Sequence, residues 1–166
     1  MLNQFEPFCQ LSMGPDFRRD DVGLNDVSGR ARPLLSCSMT TPTLYETIGG
    51  ASRLRELVDR FYDIMQLETD FAGIHAMHPV PNDSSRDKLF MFLSGWMGGP
   101  DLYIEKYGHP RLRARHLPYA IGTKERDQWL HAMAQATGEV GMDEALRLRL
   151  MQSFYETADW MRNKAD

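Results

Sequence analysis

Little in this sequence would staple, embed or polarise the chain. There are only two cysteines in 166 residues, Cys9 and Cys37, both close to the N-terminus. They cannot cross-link the remainder and lack zinc-ligand spacing, so two unpaired thiols in a loose tail is the simpler reading. No uninterrupted apolar run approaches the ~18–20 residues needed to cross a bilayer, and no membrane association is expected. An excess of one charge is missing too: 19 Lys and Arg stand against 23 Asp and Glu, a formal net charge of −4. That balance argues against a nucleic-acid partner. The residues from Met1 to Pro7 have neither the basic start nor the apolar stretch of a secretory signal, so a soluble, cytoplasmic protein is the expectation. Hairpin signals and strict two-residue alternation are also lacking, which speaks against a sheet.

What is present is a composition 42% hydrophobic, enough for one domain with a core. Residues 1–42 stand apart from it. They hold four of the nine prolines, scattered Gly and Ser, and no helical periodicity. A flexible or loosely docked extension is expected there, with short apolar patches at Phe5–Phe8 and Leu34–Leu35 that could rest on the domain. Met39 offers an alternative start that would leave almost no tail. Residues 43–166 form the candidate domain.

From Thr43 onward the pattern is helical. Leu54, Leu57, Val58, Phe61, Tyr62 and Met65 recur at three- and four-residue steps along one face. Asp83, Ser84 and Ser85 are cap candidates for a second helix with Leu89, Phe92, Leu93 and Trp96 on its apolar face, ended by Gly98-Gly99-Pro100. A loop is expected to run from there to Gly108-His109-Pro110, followed by a short helix from Arg111 to His116 that Pro118 limits. Thr123 can cap a helix burying Trp129, Met133 and Ala136, which Gly141 breaks. Asp143 starts the last, with Leu146, Leu150, Phe154, Ala158 and Met161 in register. The fold class is all-α, without internal repeats.

Five histidines in such a chain say little alone, since a histidine is more often a surface or hydrogen-bonded core residue than a ligand. The surrounding text says more. Trp96-Met97-Gly98-Gly99-Pro100, Tyr103, the run from Gly108 to His116, and Glu125-Arg126-Asp127-Gln128-Trp129-Leu130 follow in order. With Leu44-Tyr45-Glu46-Thr47-Ile48-Gly49-Gly50 and Arg60-Phe61-Tyr62, this text resembles the group II truncated haemoglobins over roughly residues 43–163. The resemblance implies a shortened globin, a two-over-two helical sandwich around haem b. It implies that His116 is the proximal iron ligand, with the loop histidine His109 as the competitor. It places Tyr62, Trp129 and His78 on the distal side, with His75 filling the place of His78 if the corner lacks an insertion. Ser85 and Leu89 match distal helix positions facing the iron, and Phe92 lies on the same haem-facing side. Lys88, Tyr103 and Arg115 match the positions that meet the propionates. Individually, Tyr62, Trp129 and Leu89 would read as core, and Lys88 and Arg115 as solvated surface.

A ferrous haem held by one histidine keeps a sixth position for O2, NO or CO. O2 that has drawn charge from iron accepts hydrogen bonds strongly, so donors at Tyr62, His78 and Trp129 would hold it. Each such bond is worth ~1.5–3 kcal/mol, and ~1.4 kcal/mol is a tenfold change in affinity. Two or three donors argue against a delivery carrier. They suit tight binding, NO detoxification or peroxidase chemistry with a separate reductase as partner. The alternative is a non-catalytic gas sensor or ligand-binding module signalling through another protein. The sequence leaves the choice between monomer and homodimer open.

Overall fold

In the computed structural model, which describes residues 41–165, Thr43 opens the first helix by a reciprocal cap. Its hydroxyl accepts from the Glu46 N–H at 3.1 Å, and the Glu46 carboxylate accepts from the Thr43 N–H at 2.9 Å. That arrangement satisfies two helix-end donors at once. The expected extension at 1–42 lies outside the described residues except for Thr41 and Pro42. Helix α1 spans Leu44–Thr47 and α2 spans Gly50–Leu67. A 3₁₀ turn at Thr69–Phe71 and a short α3 at Ala72–His75 form the corner before α4, Asp83–Trp96. Then come α5 at Leu102–Tyr107, α6 at Leu112–His116, α7 at Thr123–Glu139 and α8 at Glu144–Met161. No strand occurs among the described residues.

The periodic faces become the core. Leu54, Leu57, Val58, Phe61, Ile64 and Met65 of α2 are buried to within 1% exposure. They meet Met133 and Ala136 of α7, while Leu146, Leu150 and Phe154 enter from α8. Each such side chain contributes about 1.5–3 kcal/mol on burial. Helix α2 packs on α4, α7 on α8, and α2 crosses onto α7, so two helix pairs lie one over the other. This is the two-over-two sandwich that the resemblance implies, and it is all-α among the described residues.

Local starts and stops depart from the sequence reading at three points. Helix α4 begins with Asp83 as its first helical residue, and the cap position falls to Asn82. The Asn82 side chain makes no capping bond, because its Oδ1 accepts from Arg86 Nε at 3.0 Å. Thr123 likewise starts α7 rather than capping it; Glu125 reaches back and accepts from the Gly122 N–H at 2.8 Å. The stretch expected as loop contains α5, a turn and a half bounded by Pro100 and Gly108. Other ends agree. Asp143 Oδ1 accepts from the N–H groups of Ala145 and Leu146 at 3.0 and 3.1 Å, and Gly141, with φ +68°, follows the end of α7.

One glycine is required by close approach. A Cβ on Gly99 would lie 2.5 Å from the Tyr45 ring, so α1 can dock on the end of α4 only over a bare backbone. The Tyr45 N–H donates to Met97 O at 3.0 Å across the same junction.

Candidate functional site

The candidate iron ligand sits at the end of a five-residue helix. Arg111, at φ 44° and ψ 48°, turns the chain after Pro110 and is the one non-glycine residue with positive φ among the described residues. That left-handed turn costs a residue with a Cβ about 1–2 kcal/mol. Helix α6 then runs five residues to His116. His116 Nδ1 lies 2.7 Å from the carbonyl oxygen of Leu112. A carbonyl only accepts, so a neutral imidazole held this way donates from Nδ1 and keeps its lone pair on Nε2. That is the nitrogen a metal needs.

Polar contacts hold the rest of this helix. Arg115 Nε donates to Pro110 O at 2.9 Å, and its guanidinium lies 6.0 Å from the buried Tyr103 ring. Arg113 donates to the carbonyl of Trp160 on α8. Asn163, beyond α8, donates from Nδ2 to His116 O at 3.1 Å and to Tyr119 O at 2.9 Å, and accepts from the Ile121 N–H at 3.0 Å. Sequence reasoning missed Asn163, which is 47 positions from the carbonyl it fixes. No local pattern could have linked them.

The opposite wall is aromatic. Tyr62 is buried on α2, with His78 edge-on to it at 5.5 Å and Phe61 at 5.2 Å. Phe61 meets Trp129 at 5.3 Å, and Phe154 meets Trp129 from the far side at 5.6 Å. Burial pushes the Tyr62 phenol well above its usual range, against the opposing pull of Arg86 and the Ser85 hydroxyl. The phenol therefore remains a proton donor at neutral pH. Arg86, also missed, lies 5.4 Å over the Tyr62 ring. It donates to Asp63 at 2.6 Å and to Asp59 O at 2.8 Å, bracing α4 against α2. Its signal was the Asp59–Asp63 pair one helical turn apart on α2.

His78 behaves differently from the expectation of a third donor. Its Nδ1 lies 2.8 Å from Ile74 O, which takes the Nδ1 proton. Burial first, then the neighbouring His75 and His116, lower its pKa, against the Ile74 hydrogen bond. Neutral His78 so presents a lone pair at Nε2. His75 faces elsewhere, lining an outer groove of about 590 Å³ with Arg55, Asp59 and Arg86.

The remaining expected residues divide. Ser85 joins Tyr62. Leu89 and Phe92 are half-buried against the core edge, and Phe92 meets Tyr103 at 6.4 Å. Tyr103 and Arg115 come together, whereas Lys88 is exposed on α4 and His109 is exposed in its loop, with Nδ1 accepting from the Arg111 N–H at 3.1 Å. Helix α6 leans on α8 rather than on α4. One imidazole fixed through Nδ1, half-buried apolar side chains and an arginine beside Tyr103 fit a haem.

A bacterial-like globin family model matches residues 43–163. The group 2 truncated hemoglobin YjbI of Bacillus subtilis is 37% identical over 129 residues, covering 74% of this chain and 89% of that protein. A group II 2-on-2 hemoglobin from Agrobacterium tumefaciens superposes with a TM-score of 0.74 at 39% identity, covering 77% of this chain and 99% of the other. A truncated oxygen-avid haemoglobin from Bacillus subtilis gives a TM-score of 0.67 at 37% identity, with coverages of 74% and 100%.

Proposed function

Because the chain belongs to the bacterial-like globins, among the group 2 truncated hemoglobins, we propose that it holds haem b on Nε2 of His116 and takes O2, NO or CO on the side facing Tyr62. The observation that carries this reading is His116 at the end of α6 with its Nδ1 spent on Leu112 O, in a chain that also buries Tyr62 with His78 edge-on to it. Bound ferrous haem supplies the open position at which a diatomic ligand sits. The protein supplies everything around it. Leu112 O fixes the ring of His116 and raises its basicity. Arg115 and Tyr103 meet the carboxylates at the haem edge, and Leu89 and Phe92 exclude water from its face. Tyr62 and Trp129 donate to the ligand from the far wall, and Phe61 and Phe154 fix the indole between them.

Two donors at ~1.5–3 kcal/mol each slow ligand release by orders of magnitude. Such retention suits chemistry on the held ligand, NO detoxification or peroxide turnover fed by a separate reductase, better than delivery. The relative described as oxygen-avid supports the same direction. The test is the absorption spectrum of the purified protein, oxidised, reduced and reduced with CO, for wild type and His116→Ala. Wild type is expected to carry one haem per chain, and His116→Ala to lose it or regain it only with added imidazole. If His109→Ala loses haem and His116→Ala retains it, the assignment is wrong. Trp129→Phe is expected to speed O2 release several-fold; turnover assays with NO and with peroxide then decide the reaction.

A further inference from the structure

We propose that the outward face of α8 binds the same face of a second copy of this chain, making a two-fold homodimer. The inference stands apart from the haem reading, because none of the residues assigned to that site lies on this face. Its ground is a helix that is apolar on two sides. Leu146, Leu150, Phe154 and Met161 are buried and spend one side of α8 on the core. Leu148 and Tyr155 remain 62% and 46% exposed. They stand seven residues apart, two helical turns, and so share one outward stripe. A surface helix needs one apolar side to join its own core, and a second apolar side marks a contact with something else.

The face also has relief. Tyr155 is steadied by the Arg126 guanidinium, 5.2 Å from its ring centre. Beside Leu148 lies a groove of about 440 Å³ lined by Leu44, Leu148, Arg149, Gln152 and Ser153. A projecting ring and a hollow on one helix are what a self-complementary, two-fold contact requires. Charge selects a second copy as the occupant. Arg149 and Glu156, both exposed, stand seven residues apart beside the apolar stripe. Arg147 meets Glu144 at 2.7 Å, whereas Arg149 meets no carboxylate among the described residues. Glu156 accepts from Gln152 Nε2 at 2.9 Å and meets no cation among them. With one charge of each sign, the face suits neither a strongly acidic nor a strongly basic partner. It suits its own inverse. Two α8 helices crossing antiparallel near Gln152 set Arg149 of each copy beside Glu156 of the other, twice by symmetry, whereas a parallel crossing sets like charges together. One helix from each side buries little, below about 1,200 Å² in total, so the dimer forms and dissociates with concentration.

The experiment is sedimentation equilibrium of the full-length chain over a wide concentration range, for wild type, Arg149→Glu, Glu156→Arg and the double variant. The wild-type mass is expected to rise with concentration from that of one chain toward that of two. Each single reversal sets like charges together at two places and should raise the dissociation constant at least about tenfold. The double variant exchanges the two signs and should return to the wild-type value. An equimolar mixture of the two single variants, whose faces are now opposite in charge, should dimerise at concentrations where neither does alone. A wild type that stays a monomer at the highest concentration overturns the inference and leaves the face to another occupant. A dimer indifferent to both reversals places the contact elsewhere and overturns it equally. A mixture of the single variants that stays monomeric refutes the antiparallel pairing on which the inference stands.

Discussion

The two walls of the candidate site are built by different physics. The wall around Tyr62 is packing: Phe61, Tyr62 and Ile64 on α2 are buried, and Phe61, Trp129 and Phe154 meet edge-on. The wall around His116 is polar. Helix α6 has no buried residue, and backbone carbonyls, one asparagine and two arginines hold it. The arginines divide along the same line. Arg55, Arg60, Arg86 and Arg126 meet carboxylates, whereas Arg113 and Arg115 donate to carbonyls beside His116. The Tyr62 and Trp129 side chains keep their direction because the core around them is close-packed. The His116 ring keeps its direction by hydrogen bonds.

The largest expected effect breaks the packed wall. Phe61 is fully buried and touches both Tyr62 and Trp129. Phe61→Ala is expected to cost about 3–5 kcal/mol of stability, read by denaturant unfolding. Trp129 loses its support on one side, so ligand release should accelerate in whatever fraction still folds. A loss below about 1 kcal/mol would mean that the site collapses around the cavity and that the wall is less rigid than the contacts imply. Next comes the junction of α1 with α4. Gly99→Ala drives a methyl to 2.5 Å from the Tyr45 ring, and overpacking of this kind costs about 1–3 kcal/mol. Tyr45→Ala should relieve it, so the double variant should lose less than the sum of the two. Additive losses would show that the ring simply swings aside.

The contrast also explains which features were legible. The packed half was read from its periodicity: α2 buries every side chain that the three- and four-residue steps marked out, α7 and α8 bury most of theirs, and on α4 Leu93 is buried while Leu89, Phe92 and Trp96 are half-buried against the core. Helix α5 escaped because six residues between Pro100 and Gly108 cannot display a period. What fixes it is Tyr103, buried beside Phe92 and under Arg115. The caps at Asn82 and Gly122 escaped for another reason. There the capping polar groups were drawn to Arg86 or supplied from inside the next turn. Tyr62, His78, Trp129 and His116 were nameable from motif text, but the direction of the His78 proton depends on the position of Ile74 O. Spacing does not carry that information.

A smaller effect is expected on the polar wall. Asn163→Ala removes two hydrogen bonds to the carbonyls of His116 and Tyr119 and one from the Ile121 N–H. All are solvent-accessible, so water replaces much of what is lost, and about 0.5–1.5 kcal/mol of stability is expected to go. The specific sign is elsewhere. Freed at its C-terminal end, His116 should release haem to apomyoglobin severalfold faster, while Trp129-dependent O2 release stays as in wild type. Unchanged haem release would mean that Leu112 O alone orients the ring.

The smallest effect concerns acid. Glu125 accepts from the Gly122 N–H at 2.8 Å at the start of α7, directly after the polar wall. That hydrogen bond holds its carboxyl below the usual carboxylate range, with partial burial opposing and Lys164 and Lys124 assisting. The folded chain therefore binds the proton less readily than the unfolded chain. Where the unfolded chain binds more protons, stability rises with pH. The contribution is fully present above the ordinary carboxylate value and is lost as pH falls through the lower folded one. A carboxylate at an exposed helix N-terminus contributes about 0.3–1 kcal/mol. Glu125→Gln keeps an acceptor for the Gly122 N–H but cannot titrate. At pH 7 the variant is expected to melt slightly below wild type, and the gap should close as the pH is lowered past the carboxylate range. Taking the difference between the two proteins cancels every titration that both share. A gap that stays constant with pH would assign the effect of Glu125 to geometry alone, and the α6–α7 corner would then owe nothing to charge.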